Sequence, residues 1–104
     1  MALVLPTQYQ GENASIPWVL NFSWATTVAS PTSVTVYKGG SDATSTTMPS
    51  GSHSVSGNNL TLKNLTALTG GELYMIDVVV SIDGVVDEFW LPVQALKKQT
   101  GKTT

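Results

Sequence analysis

Side chains able to catalyse or to hold a metal are few in this 104-residue chain, and their spacing keeps them apart. His53, the sole histidine, lies in Gly51-Ser52-His53-Ser54-Val55-Ser56-Gly57. Catalysis there would need a nucleophile and an orienting acid that a Ser/Gly loop does not fix. His53 is therefore expected as a solvent-exposed loop side chain. With one histidine and no cysteine, a zinc site lacks its usual ligands. Calcium needs an oxygen cage, but Asp83 and Asp87 flank a turn and no Asp-x-Asp-x-Asp run exists. Asp87 and Glu88 are adjacent on a strand and point to opposite faces, which removes a paired-carboxylate glycosidase site. Gly39-Gly40 and Gly70-Gly71 form neither GxGxxG nor a Walker loop and read as turn residues. Asn13, Asn21, Asn59 and Asn64 each open an Asn-x-Ser/Thr triplet, as chance supplies in a chain so rich in these residues. These residues predict no enzyme, no cofactor and no metal.

Composition narrows the class further. The chain has five lysines, no arginine and seven acids, for a formal net charge of -2, so it lacks a basic stripe and the guanidinium fork that grips phosphate. Nucleic acid is not expected as a partner. No stretch approaches the ~20 apolar residues of a membrane-spanning helix, and Met1–Gln10 lacks a charged n-region with a sustained apolar run. The expectation is a protein without signal peptide or membrane partner, made in the cytoplasm. Charged residues are only 12% and no long helical pattern is present, which points to an all-β chain.

Leu65–Gly84 is the strongest signal for the elements. Tyr74, Ile76, Val78, Val80 and Ile82 recur at a period of two and form one face of a strand; Leu73, Met75, Asp77, Val79 and Ser81 form the other. A leucine-rich turn ahead of Tyr74 predicts that its hydroxyl bonds back to the backbone near Leu68–Gly71. Asp83-Gly84 predicts a two-residue hairpin into another strand, with Phe89, Leu91 and Val93 inward, Glu88, Trp90 and Gln94 outward, and Pro92 marking an edge. Between Ser15 and Thr26, Ile16, Trp18, Leu20, Phe22 and Trp24 alternate as a second core strand. Val34 and Val36 mark a third, Thr44–Met48 a short fourth before a loop, and Leu60 and Leu62 a further half-buried one. Residues 1–10, broken by Pro6, read as an edge strand or arm; residues 97–104 read as a disordered tail behind a single domain spanning 1–96.

About seven strands, a tryptophan early and a tyrosine at the entry to the strand before last predict an antiparallel β-sandwich of immunoglobulin-like type. The order of core Trp24, a leucine-containing connection, Tyr74 and an apolar alternating strand resembles fibronectin type III and related cysteine-free Ig-like domains, though the loops are short and arginine is missing. With LTGGELYMIDVVVSIDG late in a chain of this length, it also resembles small Ig-like virion proteins of tailed bacteriophages. That resemblance implies a non-enzymatic virion component, a capsid decoration or a head, neck or tail protein, whose partners are capsid or tail subunits or copies of itself. The alternative is a binding module for carbohydrate or a cell-surface protein. Parity places Thr35, Tyr37, Leu73, Met75, Asp77, Val79, Val86 and Trp90 on the outside of one sheet. Tyr37, Met75, Val79, Val86 and Trp90 are the expected interface, unless Leu3, Val4 and Leu5 of the arm fold over it.

Overall fold

Alternation of apolar and polar side chains, interrupted by turn residues, cuts this chain into short strands. The structure, a computed structural model, describes residues 2–97, with side chains from Val4 onward. In chain order the described residues form β1 (Ala2–Val4), β2 (Gln8–Gly11), β3 (Val19–Asn21), β4 (Ser33–Lys38), β5 (Ser41–Asp42), a helical turn α1 (Thr44–Thr47), β6 (Ser54–Ser56), β7 (Asn59–Thr61), β8 (Leu73–Ile82) and β9 (Val85–Leu96). The expected disordered tail lies, beyond Lys97, outside the described residues.

The strands make two sheets. One runs β1–β9–β8–β4–β5 with β2 also on β9, and the other runs β3–β7–β6. Leu20, Phe22, Leu60 and Leu62 from the smaller sheet and its flanks share one buried cluster with Val36, Ile76, Val78, Val80, Phe89, Leu91 and Val93 of the larger. All five alternating residues of β8 are buried, as their period predicts. β8 and β9 pair over ten residues, closed by Asp83 and Gly84 with φ of 51° and 80°. Two successive positive φ angles are what a hairpin turn matched to strand twist requires, and Asp-Gly supplies them at low cost. The Asp83 carboxylate also accepts the N–H groups of Thr26 and Thr27 at 2.9 and 2.7 Å, fastening the incoming segment to the hairpin tip.

Three expectations are corrected. The strand foreseen over Ser15–Thr26 is ordered as β-ladder only at Val19–Asn21, because a turn in which Ala25 N–H bonds to the Phe22 carbonyl ends it. That turn swings Trp24 outward to 65% exposure and puts Ala25 inside. Trp24 is thus not a core residue: its ring packs edge-on against Phe22, while Phe22 contacts Phe89 in the core at 5.1 Å. Thr44–Thr47 is a helical turn and not a strand, because local side-chain bonds outcompete a ladder there. Asp42 Oδ1 accepts the Thr44 N–H and hydroxyl, and the Thr47 hydroxyl donates to the Ala43 carbonyl. Pro92, finally, is not on an edge strand, since β9 is flanked by β8 and by β1 and β2.

The first residues do form an edge, in two pieces. Val4 pairs with Trp90 and Gln8 with Val93, so residues 5, 6 and 7 stand opposite only 91 and 92. This is a one-residue bulge, with a proline on each side of it. Trp90 C=O accepts from Leu5 N–H on this flank, so the nitrogen of Pro92, two residues on, faces the same gap in the ladder where no donor is called for. The arm therefore extends the sheet instead of covering its outer face.

Buried polar groups supplement the short strands. Gln10 is buried; its Nε2 donates to the Leu65 and Ala14 carbonyls at 2.6 and 3.1 Å, and its Oε1 accepts from the Trp18 indole at 2.8 Å. The Tyr74 hydroxyl accepts the Thr69 N–H at 2.7 Å, inside the predicted stretch. Tyr74→Phe is expected to lower stability by about 1 kcal/mol or more by leaving the Thr69 N–H without that acceptor. Denaturant unfolding of the variant measures it, and an unchanged midpoint would refute the role given to this bond.

Candidate functional site

The larger sheet has one face in the core and one in solvent, and cross-strand pairing arranges the solvent face in rows. Thr35, Asp77, Trp90 and Val4 stand side by side across β4, β8, β9 and β1; Asp42, Tyr37, Met75 and Pro92 form the next row; Ser33, Val79 and Glu88 lie on the other side. Such neighbours share a face and touch. The expected interface residues Tyr37, Met75, Val79, Val86 and Trp90 all lie here. Tyr37 and Trp90 are each 36% exposed, Val86 is exposed, and Met75 and Val79 are half-buried. Exposed Val4, Tyr9 and Leu73 widen the apolar area. Tyr37, Gly40, Met75, Asp77 and Trp90 line a shallow depression at its centre.

The floor of that depression holds chemistry that local sequence patterns did not signal. Asp77 is opposite Trp90 while Glu88 sits one row away, opposite Val79, so the two carboxyls are diagonal neighbours on adjacent strands. Loss of solvent, then a hydrogen bond and charge repulsion from Glu88, push the Asp77 carboxyl up to about 6. The partner, Glu88, is held below its ordinary value by hydrogen bonds from Asp77 and the Trp90 side chain. A single proton shared between the two is the physical meaning of these opposed shifts. Asp77 Oδ1 is buried with no hydrogen-bond partner. A period-two reading identifies the faces of both residues, but not the register that brings them together.

The remaining candidates are elsewhere. His53 is half-buried, not solvent-exposed: its Nδ1 accepts the Lys63 N–H at 3.1 Å, tying the loop before β6 to the end of β7. Burial, helped by the nearby Lys63 charge, lowers its pKa. Asp83 serves the hairpin tip, and Asp87 lies on β9 next to Glu88. Among the described residues no three His, Asp or Glu side chains come together as a metal site would need, and no helix is long and apolar enough to cross a membrane. A cleft between the sheets, lined by Leu5, Pro6, Trp18, Phe22, Trp24 and Leu91 among others, offers apolar walls without a titratable group. Compared with known protein families, curated proteins and solved structures, the chain matches none.

The two titrations act in opposite directions. Asp77 holds its proton more tightly folded than unfolded, so its contribution is greatest below pH ~4 and is lost as pH rises through about 6. His53 is neutral when bonded to Lys63, so its contribution is present above pH ~6.5 and is lost on acidification. Carbon-13 NMR of the aspartate carboxyls is expected to show an Asp77 midpoint near 6, absent in Asp77→Asn. An ordinary aspartate midpoint at this position would remove the shared proton.

Proposed function

We propose that this chain is a non-enzymatic structural protein of a tailed-bacteriophage virion, a capsid decoration or a head, neck or tail component, that docks on a larger assembly through the outer face of its larger sheet. The observation that carries the reading is the concentration of Tyr37, Met75, Val79, Val86 and Trp90 on that one face, with Val4, Tyr9 and Leu73 beside them. Contiguous apolar surface rimmed by polar groups marks interaction sites, and aromatic anchors carry most of the energy at interfaces. By contrast, the β3 strand of the smaller sheet turns one apolar residue, Val19, and the polar Asn21 outward.

The fold we assign is immunoglobulin-like. In support, the strand order places β4, β8 and β9 together in one sheet and β3, β7 and β6 in the other, and the Tyr74 hydroxyl is bonded to the backbone of the connection before β8. The exposed Trp24 departs from the core tryptophan of the family, with Phe22 in its place.

Immunogold electron microscopy of phage particles produced by cells that carry the gene tests the function. Label on the particles is expected. Met75→Glu and Trp90→Asp are expected to reduce incorporation at least tenfold while the unfolding midpoint stays within a few degrees of the parent. Unlabelled particles, together with selective binding on a glycan array, would replace this reading with the carbohydrate-binding one.

A further inference from the structure

β3 closes one end of the smaller sheet, with β7 on one side of it and no strand on the other. The Phe22 N–H bonds to the Asn58 carbonyl at 2.8 Å and the Leu62 N–H to the Trp18 carbonyl at 2.9 Å, with the Leu20–Leu60 pair between them. Successive residues of an antiparallel strand aim their backbone groups to opposite sides, so those of Trp18, Leu20 and Phe22 face β7. The N–H and C=O groups of Val19 and Asn21 point the other way. Among the described residues nothing pairs with these four groups.

They open on the cleft between the sheets. Val19, Leu20 and Asn21 form one wall of this cleft, about 330 Å³ in volume, and Leu5, Pro6 and Gln8 of the larger sheet's first edge form the other. No residue of β7 or β6 lines it, which puts it on the open side of β3. Across the cleft Pro6 lacks an N–H and the bulge kinks the wall, so a strand lying here is paired from the β3 side alone.

Hydrogen bonding selects the occupant. Donors and acceptors on alternate residues of one strand match the backbone of an extended peptide, which adds to a sheet edge by main-chain bonds. Residues directly opposite in a pair share a face, so the peptide residue opposite Leu20 turns inward with it, as do those opposite Trp18 and Phe22. Leu20 and Phe22 are buried and Trp18 packs against the core, so three alternate peptide side chains meet an apolar space floored by Phe89 and Leu91. No Asp, Glu, Lys or His lines the cleft, and a charged side chain there would lose water without gaining a counter-charge. Val19 and Trp24 are exposed where they line it, and covering them removes apolar surface from water.

We propose that the cleft beside β3 is a strand-accepting site: an extended peptide segment of another protein, uncharged and apolar at alternate positions, adds antiparallel to Val19–Asn21 and places its apolar side chains between the two sheets. The main-chain bonds supply affinity and the alternate side chains supply selectivity. The site stands independently of the docking reading above, since the cleft shares no residue with the outer-face patch of Tyr37, Met75, Val79, Val86 and Trp90.

The probe is a nine-residue peptide alternating threonine and valine, with a lysine at each end and a valine at the centre, added to the full chain. NMR titration is expected to shift the Val19 and Asn21 amide signals and the Trp18 and Trp24 indole signals, and hydrogen exchange at the Val19 and Asn21 amides is expected to slow about tenfold or more at saturation. Aspartate in place of the central valine, or N-methylation of the two threonines beside it, is expected to weaken binding about tenfold or more, the first through an unpaired charge and the second through two lost donors. Val19→Pro removes one N–H from the protein side; an edge position whose N–H has no partner tolerates proline, so binding is expected to fall while the unfolding midpoint stays near the parent's. No binding at millimolar peptide overturns the proposal. Binding that N-methylation leaves unchanged also overturns it, by showing apolar adsorption without strand pairing. Shifts confined to Tyr37, Met75 and Trp90 overturn it by placing the peptide on the outer face. Shifts at Trp18 and Trp24 from the neutral oligosaccharide maltoheptaose, with none from the peptide, replace the strand site with a sugar site.

Discussion

The unbroken pairing of β8 with β9 is the constraint on which the rest of the molecule is hung. Ten consecutive residue pairs fix which side chains of both strands point inward and which outward, so one register sets the core and the outer face together. A slip by one residue would turn Ile76, Val78 and Val80 to water and bury Asp77. The Asp83–Gly84 turn pins that register at one end, and the Asp83 carboxylate uses the same turn to hold Thr26 and Thr27. β4 and the two first strands then only add to a template whose geometry is already set.

The smaller sheet is built differently. Its three strands are three residues long each, too short to hold a sheet by their own ladders. Side-chain hydrogen bonds make up the difference. Gln10 links β2 to the Leu65 carbonyl and the Trp18 indole, Tyr74 holds Thr69, and His53 holds Lys63. Each satisfies a backbone or ring group that no ladder pairs here, and each would leave a costly orphan if removed.

How much of this was legible in the sequence follows from the range of the signals. Period two over ten residues is local, so β8, its buried face and the Asp-Gly hairpin were readable, as was the tyrosine bond behind Leu68. Trp24 misled because alternation continues through Ser23 while a turn, set by a backbone bond to Phe22, does not show in residue types. Thr44–Met48 misled because threonines favour strands until Asp42 offers their hydroxyls and N–H groups a nearer partner. The positions of the outer-face residues were readable by parity, but the meeting of Asp77 with Glu88 depends on the offset between two strands. Single-strand patterns carry no such offset, and the inward Gln10 was hidden among polar residues for the same reason.

The broken edge has its own consequence. An uninterrupted outer strand would show a straight row of free N–H and C=O groups, an invitation for another molecule to add a strand. Here the bulge at residues 5–7 kinks that row after three residues, and Pro6 removes a donor at the kink. Backbone-mediated stacking into fibrils is thereby discouraged along this border. Contacts along this border are thereby left to side chains, while the backbone row stays closed to an added strand.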